Sequence, residues 1–431
     1  MFGWVGLSTL KDFRLPPGMS FVVALAAGLL TMAFTAYLFK LILRLTSEGA
    51  LYRIEDLVGQ TGTVYQRILP GGKGKIQISL NGLLREVVTF PRHTHAPILP
   101  RIKIMSDMDI AEKRLPQDGR INVGENGREV DVRVSTLPTI QGEKVVMRIL
   151  DRRAVALNIN GLGISDVNLP LFKQLYACAY GMVLVTGPTG SGKSTTLYSV
   201  LSEINAPSKN IITVEDPVEY RLNGINQVQV NGKAGLTFAN GLRSILRQDP
   251  NVVMVGEIRD RETADIAVRA ALTGHLVFST LHTNDAIGAI TRLIDMGVES
   301  FLVASSVLGV VAQRLVRTLC PECKEAYPLA AEAAERVFMG LDPQTPVTLY
   351  RGAGCAHCNF TGYRGRLAIH EVIALTPDLR AAVARQAPAD ELFAKARSTG
   401  FVTMKEDGIT KALAGQTTVE EIIRVAYSGG E

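Results

Sequence analysis

The apolar positions of this chain fall into four regimes. The first is a single uncharged run, "FVVALAAGLLTMAFTAYLF" at 21–39. As a helix its 19 residues reach about 28 Å, close to the roughly 30 Å hydrocarbon core of a bilayer. Lys11, Arg14, Lys40 and Arg44 flank it. This predicts one membrane helix at about 20–43 within an anchor at 1–47. A secretory leader and a buried core helix are the rival readings, and the run is longer than a leader's apolar stretch. In the second regime, short alternating runs ("GTVYQ", "GKIQISL", "REVVTF") are punctuated by "PGGKG" and "NG". These predict a small β-module at 48–92. "PRHTHAPILP" follows with three prolines and no period, which predicts a linker over 93–100 whose His93 and His95 are solvated. The third regime is a set of short, wholly apolar strands ("MVLVT", "IITVE", "NVVMVG", "HLVFST") alternating with helical stretches, the pattern of a buried parallel sheet. The fourth, 390–426, has helical periodicity broken at Gly400 and Gly415.

Composition changes this picture little. The 431 residues allow two to four domains, and 47% hydrophobic against 20% charged is a globular balance with an apolar surplus. A net charge of +5 permits contact with anionic lipid. With no Lys/Arg block and no interleaved aromatics, nothing argues for nucleic acid as a partner.

The chemistry begins where "MVLVT" ends. Gly187, Pro188, Thr189, Gly190, Ser191, Gly192, Lys193, Ser194 and Thr195 read "GPTGSGKST", with G-x-x-x-x-G-K-[ST] met at every position. In such a loop the glycines let successive N–H groups face phosphate oxygens. Lys193 then reaches the β- and γ-phosphates, and the Ser194 hydroxyl sits on Mg²⁺. The helix that follows, "STTLYSVLSEI", adds its positive N-terminus. This sequence binds ATP or GTP.

Three strand ends carry candidate partners. "IITVEDPVEY" ends in Glu215, Asp216 and Glu219, suited to holding Mg²⁺ and orienting the attacking water, although an acidic strand end is also an ordinary solvated turn. "NVVMVGEIRD" ends at Glu257, which completes the Mg²⁺ shell or simply pairs with Arg259. "TGHLVFSTLHTNDA" brackets a strand with His275 and His282, either phosphate sensors or structural histidines. Charge developing on phosphate requires further cations, and an arginine brought in from elsewhere is worth about 10³ to 10⁵ in rate. Arg243 and Arg247 lie four apart on one helix, and Arg133 and Arg148 lie on successive strands.

Four of the five cysteines form Cys320-x-x-Cys323 and Cys355-x-x-Cys358. Two such knuckles supply four thiolates, which suits a closed structural Zn²⁺ site and leaves no position open for catalysis. Two disulfides are the rival, disfavoured inside a cell. His357 is a bystander, and Cys178 is expected in the core of an apolar helix.

Two resemblances follow from these motifs. Residues 55–90 resemble the OB-like soluble domain that follows membrane helices in NfeD-type proteins. The order "LPQDGRI", "GPTGSGKST", "EDPVEY", "GLRSILRQDP", "VMVGEIRD", "LTGHLVFSTLHTNDA", "LCPECK" resembles the secretion ATPases of type II secretion and type IV pilus assembly, over 101–431. That resemblance implies an α/β fold with a RecA-like P-loop core at 156–317, preceded by a partial N-terminal domain at 101–155. A tetracysteine zinc module (318–374) and a helical C-terminal domain (375–431) follow. It also implies a homo-oligomer, a hexamer, that hydrolyses ATP with Mg²⁺. Expected partners are inner-membrane platform proteins, with the ATPase portion on the cytoplasmic side and the N-terminal helix in the membrane. Glu215 and Glu219 fall in the family's Asp box, Glu257 in Walker B, His275 and His282 in its His box, and Arg133, Arg148, Arg243 and Arg247 around the nucleotide. Either Asp-box glutamate can be the general base, with Glu219 the choice made here. The tetracysteine segment resembles that of the type II secretion and pilus-assembly ATPases alike, and "GINQVQVN" with the stretch from "TGHLVFSTLHTNDA" to "LCPECK" most resembles the type II secretion member, with pilus assembly the alternative. Because the resemblance starts at 101, the strands before it read as a replacement of the family's own. The chain is then a directly tethered motor, or a fused or misjoined chain whose ATPase is uncoupled from secretion. A nucleic-acid motor and a silent, membrane-anchored binding protein are the rivals from other classes.

Overall fold

The computed structural model describes residues 25–26, 61–65, 73–80, 83–125, 128–140, 142–151, 158–342 and 344–426. The apolar run at 21–39 lies outside them except for Leu25 and Ala26, which are helical. Among the described residues no helix is long and apolar enough to cross a membrane. The chain divides into two compact units, one of 1–123 with 131–150, the other of 124–130 with 151–431.

In the first unit, six strands make one sheet: β1 (Thr61–Tyr65), β2 (Lys73–Leu80), β3 (Leu83–Pro91), β4 (Gln117–Glu125), β5 (Arg128–Thr139) and β6 (Gly142–Asp151). Their order is β3-β2-β1-β6-β5-β4. Two expectations change here. The alternating runs before residue 92 are not a separate barrel, because β1 pairs antiparallel with β6, Thr61 opposite Arg148 and Val64 opposite Val145. The expected linker is instead the helix α1 (Arg92–Met105). Its prolines argue against a helix locally, but tertiary packing decides. Leu99 and Ile102 pack with Val132, Val134, Val145 and Met147, which alternate along β5 and β6 and so share one face. Lys103, 1% exposed, pairs with Glu143 at 2.5 Å and donates to the Glu112 carbonyl at 2.7 Å.

In the second unit, a seven-stranded sheet runs β15-β12-β7-β11-β10-β8-β9. The strands are β7 (Gly181–Thr186), β8 (Ile211–Glu215), β9 (Asn226–Gln229), β10 (Val252–Val255), β11 (Leu276–Leu281), β12 (Val307–Leu319) and β15 (Tyr363–Ala374). Every neighbouring pair is parallel except β12 with β15. Helices cover both faces. On one, α2 (Asn168–Tyr176) and α3 (Lys193–Ile204) pack on Val183, Val185, Met254 and Phe278. On the other lie α4 (Phe238–Ile245), α5 (Arg261–Leu272), α6 (Ala286–Asp295) and α7 (Ser300–Ser306), with Met182, Leu184, Val253 and Val277 beneath them. Burial on both faces is why β7, β8, β10 and β11 are near-continuous apolar runs, whereas the edge strand β9, "NQVQ", is polar.

The tetracysteine segment proves to be an insertion into this sheet, since β15 pairs with β12 over nearly its whole length. Between them stand β13 (Lys324–Pro328), α8 (Ala334–Met339) and β14 (Thr348–Gly352). The tail forms α9 (Pro377–Ala384), α10 (Ala389–Ser398), α11 (Met404–Leu413) and α12 (Val419–Ala426). Gly400 and Gly415 break it as expected, both at positive φ (85° and 68°).

Candidate nucleotide site

The carboxyl ends of parallel strands in a doubly wound sheet are where ligands bind. Here the edge beyond β7, β11 and β10 gathers most of the expected chemistry. The loop 187–192 leaves β7 and enters α3, with Gly187, Gly190 and Gly192 at φ 144°, 82° and 89°. A side chain at Gly187 would meet the Gln313 carbonyl at 2.3 Å, so that position admits no Cβ. Lys193 is 9% exposed and donates to the carbonyls of Gly187 (2.6 Å) and Pro188 (3.1 Å) of its own loop. Burial pulls its ammonium down to about 8, against the attraction of Glu257. An amine so placed gains most from a polyanion.

Glu257 stands just beyond β10, in a turn fixed by Gly256 N–H on the Val214 carbonyl (2.8 Å) and Ile258 N–H on the Thr280 carbonyl (3.0 Å). Its carboxylate meets Arg259 at 2.5 Å and His282 Nε2 at 3.3 Å. Glu257 thus pairs with Arg259, one of the two sequence alternatives, and its charge also acts on the Lys193 ammonium. Thr283, next to His282, exchanges a hydroxyl contact of 2.7 Å with Thr186 at the end of β7. Lys193, Glu257 and His282 therefore share one edge.

Other candidates sit elsewhere. His275 precedes β11, at the amino end of a strand whose carboxyl end leads to His282. Six residues of strand separate them, roughly 20 Å. Its Nδ1 lies 3.0 Å from the Ala270 carbonyl, at the end of α5. Arg243 binds Glu262 at 2.5 Å and Arg247 lies 3.3 Å from Ser244 Oγ, both exposed. Arg133 and Arg148 belong to β5 and β6 of the first unit. Glu215, by contrast, closes β8 at the same carboxyl edge and is 4% exposed, with Glu219 half-buried in the loop beyond it. Cys178 is exposed, a correction to its expected place in the core. Helix α2 ends at Tyr176, so Cys178 falls in the turn beyond it.

Two polar residues escaped sequence reasoning. Gln313, 2% exposed on β12, donates to the Ser191 carbonyl and accepts from Thr196 Oγ1, both at 2.6 Å. Tyr198, fully buried on α3, binds Glu215 and the Glu219 N–H. Gln313 left a readable signal, a polar residue inside the apolar run "VVAQRLV".

The four cysteine sulfurs lie within 4.8 Å of one another. Cys320 and Cys355 are 3.8 Å apart, as are Cys323 and Cys358, and Cys355 and Cys358 are 3.7 Å apart. Four thiolates at about 2.3 Å from one zinc ion span edges of about 3.8 Å, so the set fits a tetrahedral ion. Although burial opposes it, the N–H groups of Cys355 and Gly362 draw the Cys358 thiol down to about 6. No pair is joined as a disulfide. His357 is exposed in the short turn between the last two cysteines.

Comparison with known proteins agrees with this geometry. Type II secretion system protein E of Pseudomonas aeruginosa is 55% identical over 350 residues, covering 81% of this chain and 69% of that one. The protein of the same name from Pectobacterium carotovorum is 51% identical over 390 residues, 90% of this chain and 76% of its own length. In fold, the chain is similar to the pilus retraction motor PilT with bound ADP (24% identity, TM-score 0.57, covering 87% of this chain and 95% of that one). It is also similar to the Legionella pneumophila ATPase DotB (19%, TM-score 0.61, 86% and 92%). A match of 390 residues is longer than the stretch from 101 to 431, so the resemblance does not start at 101. The profile described as "Type II/IV secretion system protein" matches residues 64–424, with β2 and β3 inside it, and the chain belongs to that family of secretion ATPases.

Proposed function

We propose that the chain is the ATP-hydrolysing motor of a type II protein secretion system, driving pseudopilus assembly and export. The observation that carries this reading is the convergence of Lys193, Glu257 and His282 at the carboxyl edge of β7, β10 and β11, in a chain half identical to type II secretion proteins E. In it, the loop N–H groups and Lys193 hold the β- and γ-phosphates, and Ser194 with Glu257 holds Mg²⁺. Glu219 takes the proton of the attacking water. His282, hydrogen-bonded to Glu257, reports the state of the γ-phosphate. Arg133, Arg148, Arg243 and Arg247 are the remaining cations of the assignment, and His275 serves between subunits of a hexamer. Cys320, Cys323, Cys355 and Cys358 hold Zn²⁺, which braces the insertion between β12 and β15 and takes no part in hydrolysis. The apolar run at 21–39 tethers the motor to the inner membrane beside its platform partners, with the ATPase on the cytoplasmic face.

The test is in the native host. Deleting the chain should stop export of secreted enzymes into the medium, and restoring it should recover export, whereas Lys193→Ala should not. Normal export without the chain, alongside lost pili, would assign it to pilus assembly instead.

A further inference from the structure

Helix α3 begins at the phosphate loop, which follows β7, yet two strands lie between β7 and β8 in the sheet. At about 4.8 Å per step, the end of β8 is roughly 14 Å away. Helix α3 and one of its side chains together cover that distance. Tyr198, in the second turn of α3, donates its phenolic proton to Glu215 Oε2 and accepts the Glu219 N–H at 3.1 Å. Its ring is fully buried and stands edge-on to Tyr220, centroids 6.0 Å apart. The same loop is gripped from β9. Gln227 Nε2 donates to Glu215 Oε1 (3.1 Å) and to the Tyr220 carbonyl (3.0 Å), and Gln227 Oε1 accepts the Leu222 N–H (2.7 Å).

Glu215 is thereby occupied. Thr213 Oγ1 and Gln227 donate to one oxygen, at 2.5 and 3.1 Å, and Tyr198 donates to the other. A carboxylate 4% exposed, with three donors on its roughly four acceptor sites, has at most one lone pair left for water. Glu219, four residues on, is half-buried, and its backbone N–H donates to Tyr198.

We propose that Tyr198 is a positioning residue that fixes the loop bearing Glu219 relative to the phosphate loop, and that Glu215 is its anchor rather than the reacting carboxylate. This rests on the reading of Glu219 as the base. Burial pushes the Glu215 carboxyl above its ordinary range and the hydrogen bonds draw it back, so the anchor depends on its donors. The hydroxyl lies on the path from the nucleotide's helix to the base, and misplacement of a reacting group by about 1 Å costs on the order of a hundredfold.

The experiment is steady-state ATP hydrolysis by the full chain carrying Tyr198→Phe, Glu215→Gln, both together, or Glu219→Gln. Tyr198→Phe removes one oxygen and no volume. Its kcat should fall tenfold or more, with KM for ATP within about twofold of wild type. Glu215→Gln should fall similarly, and the pair should be little worse than either alone, since both break one link. Wild-type turnover in Tyr198→Phe overturns the proposal, as do losses that multiply in the double variant. A rise in KM matching the fall in kcat, or lost ATP binding, overturns it as well, because either places Tyr198 under the phosphates. Glu219→Gln tests the underlying reading separately: turnover near wild type there removes Glu219 as the base, whatever Tyr198→Phe does.

Discussion

Replacing Gln313 by methionine should loosen the phosphate loop, and the structure sets the size of the effect. Met fills nearly the same volume, so no cavity term enters. The loss is of two 2.6 Å hydrogen bonds, to the Ser191 carbonyl and from Thr196 Oγ1. Ser191 and Thr196 are 3% and 0% exposed, so water cannot replace the lost partner without opening the site. An orphaned buried polar group costs about 1–3 kcal/mol. Thr196 can turn its hydroxyl toward the Gly192 carbonyl, to which its own N–H already donates, so it falls at the low end. The sum is about 2–4 kcal/mol. At roughly 2–4 °C per kcal/mol for a domain of 150–250 residues, melting should fall by roughly 5–15 °C. Nucleotide binding should weaken as well. A peptide plane that turns its Ser191 carbonyl toward Gln313 turns the Gly192 N–H the opposite way, and freeing the plane removes a preset donor. Thermal melts with and without ATP, and titration with a fluorescent ATP analogue, measure both effects. Gln313→Glu is the sharper variant: equal in shape, it sets an acceptor against the Ser191 carbonyl and should be worse than Met. Melting within about 1 °C of wild type and unchanged affinity in Gln313→Met would refute the reasoning.

On the proposed assignment of Glu257 to Mg²⁺, Glu257→Gln should bind ATP within a few-fold of wild type yet hydrolyse it at least a hundredfold more slowly, because the phosphate cradle is intact while the carboxylate charge is gone. Filter binding and phosphate release measure the two, and equal losses in both would refute it. ATP affinity should fall as pH rises past about 8, where the buried Lys193 ammonium of the free site loses its proton. The sign follows from burial lowering that pKa: the cation is present below 8 and absent above, so calorimetry at pH 9 should show proton uptake on binding and weaker affinity than at pH 7. Purified chain should carry one zinc. Stripping it, or Cys320→Ser, should open 320–358 to proteolysis, since a structural zinc contributes about 10–16 kcal/mol to such a segment. Zinc-free protein that resists protease equally would refute the site.

The second unit was legible because β7, β8, β10 and β11 are buried on both faces, so "MVLVT" and "HLVFST" announce themselves without their neighbours. The loop around Lys193 was legible because its glycines mark positive φ between a strand and a helix whatever the surroundings. The first unit was not. The pairing of β1 with β6 joins residues more than eighty positions apart, and nothing local in "GTVY" specifies that partner. Helix α1 likewise forms around Leu99 and Ile102, against the preference of Pro97 and Pro100. Tyr198 was hidden for another reason. A tyrosine in an amphipathic helix reads as core, which its ring is, and the hydroxyl acquires its meaning only from Glu215 and Glu219 on another strand.

The adjacent pair Gln313–Arg314 shows how the nucleotide edge is joined to the tail. Successive residues of a strand point to opposite faces, so Gln313 reaches the phosphate loop while Arg314 turns to the other side. Arg314, 7% exposed, donates to the Val425 carbonyl at 2.6 Å and to Asn284 Oδ1 at 3.0 Å. On the neighbouring β15, Glu371 accepts the N–H of Ala286 at 2.7 Å and of Met404 at 3.1 Å, the first residues of α6 and α11. Burial drives its carboxyl up to about 7 despite those donors. Loop 282–286, which carries His282 beside Glu257, is thus fastened to α11 and α12 by two buried side chains. Hydrogen bonds to charged groups contribute about 1.5–3 kcal/mol each and cost more to leave unmade. Any shift of that loop on a change at the γ-phosphate therefore either breaks these bonds or carries the helical tail with it. The tail is itself tied to the sheet, Glu421 to Arg317 of β12 at 2.6 Å and Lys411 to the Ala368 carbonyl of β15 at 2.7 Å, so carrying it requires those strands to move as well.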